Sequence, residues 1–568
     1  MTTADRPPAR HHLLRFAGLF RQSRGLLMLS GAGLLLGTGL GLMGPWVVAK
    51  AIDVHLVANA PDGLLQKALL YLLLIAASFL VTYAARTGVE VAAQRAMLSL
   101  KEALFDHLLD HDLALHDKQT SGRLITRIQG DIEALRTLFT EVILNSPADL
   151  ALFIGIFTVM TMTAPAMTPY VAAVLPVWVV LFVVFRWVAP PRFLALRKVH
   201  ARLTGFFTEH IRAMPTIQSF AQSSWARQRA EDLNARVFRA EVASSLIPVG
   251  YFNSLFLARN LSTVLILWIG AGLIEDGVLT IGILVMALGY LRQMFGPLMR
   301  LSHHQATIER ARAAAIRIAE LMDTPRQICD PPEPVPWPGL SRSLRLEGVS
   351  FHYVEDAPIL HELSLEIPAG ASVGIVGSTG AGKSTVLNLL LRFRDPVSGR
   401  ITVDGTDLRD IALQDLRRRT GLVLQDVQLF PGTILENLGG DAVAAQAALD
   451  TLQIGLPLDR LVGGNQLSRG QRQLLTFARA LVGDPEVLVL DEATSAIDPA
   501  TEFQVQAALA TLQQGRTTIM VAHRLATVRR CDIIYVLHRG QLLEQGSHSE
   551  LIATGGMYAS LARLQEVA

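Results

Sequence analysis

A chain of 568 residues is too long for one ordinary domain, and with 51% hydrophobic and only 18% charged residues it fits membrane spans better than a large soluble core. A formal net charge of +2 excludes the basic surplus expected of a nucleic-acid-binding protein, so no nucleic-acid partner is expected. Cys329 and Cys531 lie far apart without metal-like spacing, which speaks against a disulfide framework and suits a reduced, cytosolic setting.

The N-terminal arginines (Arg6, Arg10, Arg15, Arg21, Arg24) precede an apolar run that is too long for a signal peptide and lacks a small-residue cleavage site. Six segments approach the roughly 20 apolar residues that cross a bilayer: about 26–52, 64–85, 142–164, 168–189, 248–274 and 279–301. Their connections alternate. Val54–Gly63, Ala164–Thr168 and Glu275–Leu279 are short and poor in Lys and Arg, whereas about 86–141 and 190–247 are long, helical in pattern and basic. The positive-inside rule puts the long links and both termini in the cytoplasm. Such links read best as membrane helices that continue past the bilayer and turn at tips near Leu113–Ser121 and Met214–Phe220, where a short helix can dock on a soluble domain.

A Pro-rich stretch (Pro331, Pro332, Pro334, Pro336, Pro338) reads as a linker. Short β-branched strands then alternate with helices, as in a sheet covered by helices. The expected division is a membrane domain over 1–325, a linker over 326–343 and a nucleotide-binding domain over 344–568.

Chemistry concentrates in the last of these. Gly377, Ser378, Thr379, Gly380, Ala381, Gly382, Lys383, Ser384 and Thr385 follow a strand (Ser372–Val376) and open a helix (Thr385–Arg392), the context a phosphate-binding loop needs. Its glycines let backbone N–H groups wrap a β-phosphate, Lys383 reaches the β- and γ-phosphates, and Ser384 ligates Mg²⁺. The buried strand Val487–Leu490 delivers Asp491, which would hold Mg²⁺ through water, and Glu492, which would polarise the attacking water. Two acids after an apolar strand otherwise suggest a helix cap or an ion pair. The upstream loop tips the balance towards ATP hydrolysis.

Between these motifs lies Leu467-Ser468-Arg469-Gly470-Gln471-Arg472-Gln473. A phosphate loop, this heptapeptide and the Asp-Glu strand, in that order, resemble an ABC ATPase, and the whole chain resembles a six-helix ABC half-exporter, with particular likeness to the MdlB-type multidrug-resistance-like subunits. The resemblance implies an α-helical membrane domain with long cytoplasmic extensions (type I exporter) joined to an α/β P-loop NTPase domain of the ABC class. It implies ATP and Mg²⁺ as cofactors and a bacterial inner-membrane location with a cytoplasmic ATPase. As partners it implies the lipid bilayer, a small amphipathic substrate and a second half-transporter. Residue by residue, it implies that Tyr353 stacks on adenine, Gln425 contacts Mg²⁺, His523 contacts the γ-phosphate, and Ser495–Asp498 cross a dimer interface. Ser468, Gly470 and Gln471 would be offered to the ATP held by the partner's phosphate loop.

Two departures qualify the likeness. Arg469 stands where the pattern has glycine, and the acidic piece usually found just before the signature is replaced by Gly463-Gly464-Asn465-Gln466. A complete ATP site of its own (Lys383, Ser384, Gln425, Asp491, Glu492, His523) beside an altered signature is what a heterodimer with one weakened site would show. The alternatives are a homodimeric multidrug exporter, a lipid flippase or a siderophore transporter. Within the spans, Arg259, Arg292 and the one-sided set Glu141, Asn145, Asp149 are expected either to line a cavity for amphiphiles or, for Asp149, to pair with an arginine and hold the bundle together.

Overall fold

The computed structural model describes residues 15–16, 18–57, 62–118, 121–425, 427–463, 467–491, 499–522 and 525–566. It divides into two units, Met1–Asp110 with Ser121–Thr324 and His111–Thr120 with Pro325–Ala568.

Among the described residues, six helices of the first unit are long and apolar enough to cross a membrane. They are α1 (Gly18–Val57) and α2 (Leu64–Leu109); after the short α3 (Leu113–Lys118), α4 (Leu124–Thr163) and α5 (Thr168–Arg212); and after the short α6 (Met214–Ser219), α7 (Ser223–Glu275) and α8 (Ile281–Met322). At about 1.5 Å per residue, the 46 residues of α2 and the 53 of α7 reach more than twice the ~30 Å hydrocarbon thickness. The long basic links are therefore continuations of the membrane helices, turning at α3 and α6 as the sequence suggests.

Leu72, Trp187 and Trp268 are exposed on this unit and suit contact with lipid, whereas Trp178, Tyr290, Met160 and Leu255 are fully buried in its core. Pro45 lies inside α1, where it removes one backbone donor. There α8 comes close, because a Cβ on Gly289 would sit only 3.1 Å from Pro45 Cβ, and Tyr290 donates its hydroxyl to the Leu42 carbonyl at 2.8 Å. Helix α4 carries two π-helical stretches, Arg127–Asp131 and Leu138–Ile143, each a local widening of the helix.

The second unit holds twelve described strands: β1 (Ser343–Val354), β2 (Ala357–Pro368), β3 (Ser372–Gly377), β4 (Ser398–Val403), β5 (Thr406–Asp407), β6 (Thr420–Val423), β7 (Gly432–Thr433), β8 (Leu461–Val462), β9 (Val487–Asp491), β10 (Thr517–Val521), β11 (Ile533–His538) and β12 (Gln541–Gly546). The central sheet runs β12-β11-β3-β10-β9-β6, parallel except for β12, and a second, antiparallel sheet runs β2-β1-β4-β5. Strand β9 explains why a parallel sheet reads as an unbroken apolar run. Leu488 and Leu490 enter one core with Phe477 and Leu475 of α10 (Arg469–Val482), while Val487 and Val489 enter the other with Leu346 and Ile375. Each such side chain contributes roughly 2 kcal/mol by leaving water. The Pro-rich stretch is anchored here: Val335 bridges to Ile411, and Glu486 accepts from Trp337 Nε1 (3.0 Å) and Leu340 N–H (2.9 Å).

Candidate functional site

The parallel register brings the carboxyl ends of three strands together. Strand β3 ends at Gly377, β10 aligns Val521 with both Ile375 of β3 and Asp491 of β9, and this edge is where open parallel sheets bind ligands. From it springs α9 (Lys383–Leu390), two residues earlier at each end than the sequence suggests. The helix starts directly after Gly382 in the left-handed region (φ 97°) and cannot include Arg392, itself at φ 48°. Glycine is required sterically at Gly377, where a Cβ would lie 2.2 Å from the Leu537 carbonyl oxygen.

The loop presents Ser378, Thr379 and Gly380 to solvent and buries Lys383, whose ammonium donates to the carbonyls of Gly377 (2.9 Å) and Ser378 (3.0 Å). Lys383 thus lies across the loop expected to hold the phosphates. Thr385 is buried beneath it, and Ser384 is exposed at the helix start. Gln425 follows β6 and is exposed, and Asp491 ends β9 half-buried. No group of three His, Cys, Asp or Glu side chains among the described residues forms a metal cage. One hydroxyl, one amide oxygen and one carboxylate fit Mg²⁺, which keeps several waters and takes much of its coordination from substrate phosphates. Glu492, His523, Ser495–Asp498 and Gly464–Gln466 lie outside the described residues.

Tyr353, 43% exposed, is fixed on three sides: Asn388 Nδ2 donates to its hydroxyl (3.0 Å), Phe351 meets it edge-on at 4.9 Å, and the Arg394 guanidinium sits 5.6 Å over its ring. A ring held this way is ready to stack on a planar base.

Ser468 caps α10. Its hydroxyl accepts from the N–H of Gln471 and the Gln471 amide oxygen accepts from the N–H of Ser468, both at 3.1 Å, a reciprocal capping box. Gly470 is buried, whereas Arg469 is exposed at the first helical position, so its cation stands at the positive end of the helix. Further along α10, Arg479 binds the Asn437 carbonyl and amide oxygens (2.9 and 3.0 Å) and the Gln428 carbonyl (2.8 Å), tying the signature helix to the chain just beyond Gln425. Burial pulls the Arg479 pKa down from its usual value. Arg479 and Asn437 were not singled out in the sequence; an arginine on an otherwise apolar helix face was the available signal.

The membrane unit contains a second candidate site. A cleft of about 810 Å³ between α1, α2, α4 and α8 is lined by Glu141, Asn145 and Asp149 together, as their spacing predicts. Asp149 accepts from Arg300 Nε at 3.2 Å, so it lines the cleft and pairs with an arginine at once. Arg136 joins Glu90 at 2.6 Å across the same cleft. A neighbouring cleft of about 670 Å³ is more apolar, walled by Tyr71, Leu74, Phe79 and Tyr83, and the two share Gly41, Thr82, Arg86 and Gln293. Neither contains Arg259 or Arg292. Arg259 stacks on Phe256 (4.4 Å) and Phe295 (5.1 Å).

Comparison with known proteins agrees with this geometry. Residues 27–298 match the model of the ABC transporter transmembrane region, and residues 360–495 match that of the ABC transporter domain. A probable multidrug resistance ABC transporter ATP-binding/permease protein, YheH of Bacillus subtilis, is 32% identical over 89% of this chain and 77% of its own length. A fatty acid ABC transporter ATP-binding/permease protein of Mycobacterium bovis is 31% identical over 87% of this chain and 80% of its own. The solved structure of a bacterial Atm1-family ABC exporter with ATP bound superposes with a TM-score of 0.77 at 28% identity, covering 95% of this chain and 98% of that one.

Proposed function

From the premise that this chain belongs to the ABC transporters, as a half-exporter with an N-terminal membrane domain and a C-terminal ABC ATPase, we propose that it moves an amphipathic substrate across the bacterial inner membrane as one half of a heterodimer. ATP hydrolysis coupled to transport, a multi-pass membrane location and work as a dimer follow from the family. The substrate class and the second chain are our reading.

The observation that carries the substrate class is the pair of clefts meeting at Arg86 and Gln293. One is polar and crossed by ion pairs, the other walled by aromatic rings, so a molecule with a polar head and an apolar body fits across the junction. Arg86 makes no ion pair among the described residues, which leaves its charge for such a head. Relatives named for multidrug resistance and for fatty acid both suit an amphiphile.

In the ATP site, the N–H groups of Gly377–Gly382 and the Lys383 ammonium hold the phosphates, and Tyr353 stacks on adenine. Ser384, Gln425 and Asp491 would hold Mg²⁺, which would neutralise charge on the phosphates. Glu492 orients the attacking water and His523 contacts the γ-phosphate. Ser468, Gly470 and Gln471 complete the partner's site from across the dimer. Arg469 adds a side chain where that approach needs bare backbone, so the site on the partner's phosphate loop is the weaker one. Hydrolysis then belongs mainly to the site built on Lys383, with a better signature supplied by another chain.

The test has two arms. Inverted vesicles holding the complete transporter should take up an amphipathic dye with ATP, and Glu492→Gln should stop it; uptake that persists would sink the pump. Purified alone in nanodiscs, the chain should show little ATPase activity. Robust turnover without a partner would favour a homodimer, and movement of labelled phospholipid in place of dye would favour a flippase.

A further inference from the structure

The first tip helix is fastened to the ATPase unit by the two aspartates around it. At its start, the Asp112 carboxylate accepts from the backbone N–H groups of Gln327 and Ile328, the latter at 3.2 Å, which pins the tip to the segment leading into the domain. Within it, the Asp117 carboxylate accepts from Arg394 Nη2 at 2.5 Å. Asp117 is half-exposed, so this pair alone would be worth little. Arg394 differs: its side chain is only 13% exposed, its Nε is buried without a hydrogen-bond partner, and its guanidinium lies 5.6 Å over the ring of Tyr353. One guanidinium therefore has the tip's carboxylate at one end and the expected adenine platform beneath it.

We propose that Arg394 is a positioning residue that links adenine occupancy at Tyr353 to the docking of the tip helix through Asp117. The physical route is short. A base that covers the exposed part of the Tyr353 ring excludes water from beside Arg394, and both the cation–π contact and the Arg394–Asp117 pair strengthen as the local dielectric falls. Linkage makes the effect reciprocal: a docked tip holds Arg394 over the ring, and the ring in turn holds the base better. Asn388 and Phe351 keep the ring from turning away, so the change passes to Arg394. Since α3 follows directly on α2 in the chain, the signal reaches the end of a membrane helix. This rests on the reading that Tyr353 stacks adenine.

The experiment measures nucleotide binding and hydrogen exchange on the full chain in nanodiscs with Glu492→Gln to prevent turnover. The variants are Arg394→Gln, Arg394→Lys, Asp117→Asn, the Gln/Asn double and Tyr353→Ala. Arg394→Gln and Asp117→Asn should each weaken MgATP binding about fivefold, with the double no worse than either single. Both should remove the ATP-induced protection of amides 111–118, and Arg394→Lys should restore part of it. Magnesium tripolyphosphate, which has no base, should bind every variant alike and give no protection. A general folding defect would weaken both ligands equally and would overturn the proposal, as would additive losses or ATP-induced protection that survives in Arg394→Gln. If Tyr353→Ala leaves ATP affinity unchanged, the adenine reading itself fails and takes the link with it. If Tyr353→Ala weakens ATP while Arg394→Gln does not, the link alone fails.

Discussion

Gln293 Nε2 lies 3.3 Å from the carbonyl oxygen of Gly41, four residues before Pro45, which has no N–H to offer it. A side chain of α8 thus satisfies the acceptor that a proline in α1 leaves open. Gln293→Leu should destabilise the membrane unit by about 1 kcal/mol, read as a lower unfolding temperature in detergent. Adding Pro45→Ala, which returns the backbone donor, should recover most of that loss; equal losses on both backgrounds would disprove the compensation.

The Asp149–Arg300 pair links α4 to α8 beside the same cleft, with Asp149 the more buried partner at 18% side-chain exposure. Removing Arg300 leaves that carboxylate poorly solvated, so Arg300→Gln should reduce stability more than Asp149→Asn does. The exchanged pair, Asp149→Arg with Arg300→Asp, should be more stable than the sum of its single changes predicts, as measured by a double-mutant cycle of thermal unfolding.

How legible all this was in the sequence differs between the units. The phosphate loop, the capping signature helix and the buried strand before Asp491 follow from local spacing, because each is one short stretch with its own backbone chemistry. The tips were legible because Pro215 and the polar 120–122 break otherwise continuous helical patterns. For Asp149 the sequence suggests an arginine partner without naming Arg300, and Asp131–Arg317 and Asp117–Arg394 leave no such mark, since periodicity gives a helix a polar face but says nothing about which distant face meets it. Arg259 shows the same limit: its place inside a span does not reveal that the Phe256 and Phe295 rings lie against it. The proline-rich stretch reads as a linker, and its anchors, Glu486 and Ile411, are too far along the chain for the sequence to show them.

Asp404 and Gly405 form the turn between β4 and β5, both with positive φ (49° and 95°). Burial alone would raise the Asp404 pKa. Hydrogen bonds from the Ser341 hydroxyl and from the N–H groups of Ser341, Ser343 and Arg342 outweigh it and bring the value from 3.8 to about 2. A depressed carboxylate pKa stabilises the fold above the unfolded value, and that stability is lost as pH falls through the folded one. Asp404→Asn keeps the turn and loses the charge. Solvent screening at this largely exposed carboxylate keeps the cost small, at most roughly 1 kcal/mol at pH 7, and the gap from the parent chain should close between about pH 4 and pH 2 in unfolding measurements.

Cys531 is buried and its thiol is pushed up to about 12, by burial first and the nearby Asp532 charge second, whereas Cys329 is exposed. A maleimide at neutral pH should therefore label one thiol per folded chain and two after denaturation, and Cys329→Ser should abolish the native labelling. Rapid native labelling of Cys531 would show that the core beneath β11 opens easily.

The ATPase unit is assembled from two pieces of sequence, and synthesis makes them in an awkward order. His111–Thr120 leaves the ribosome long before Pro325–Ala568, so its aspartates wait through four further membrane crossings before Arg394 and the amides of Gln327 and Ile328 exist to meet them. A gene fragment encoding only 325–568 lacks those aspartates altogether and leaves Arg394 without the Asp117 carboxylate. The contacts of Asp112 and Asp117 thus close last in synthesis, and this unit is complete only once both of its pieces have been made.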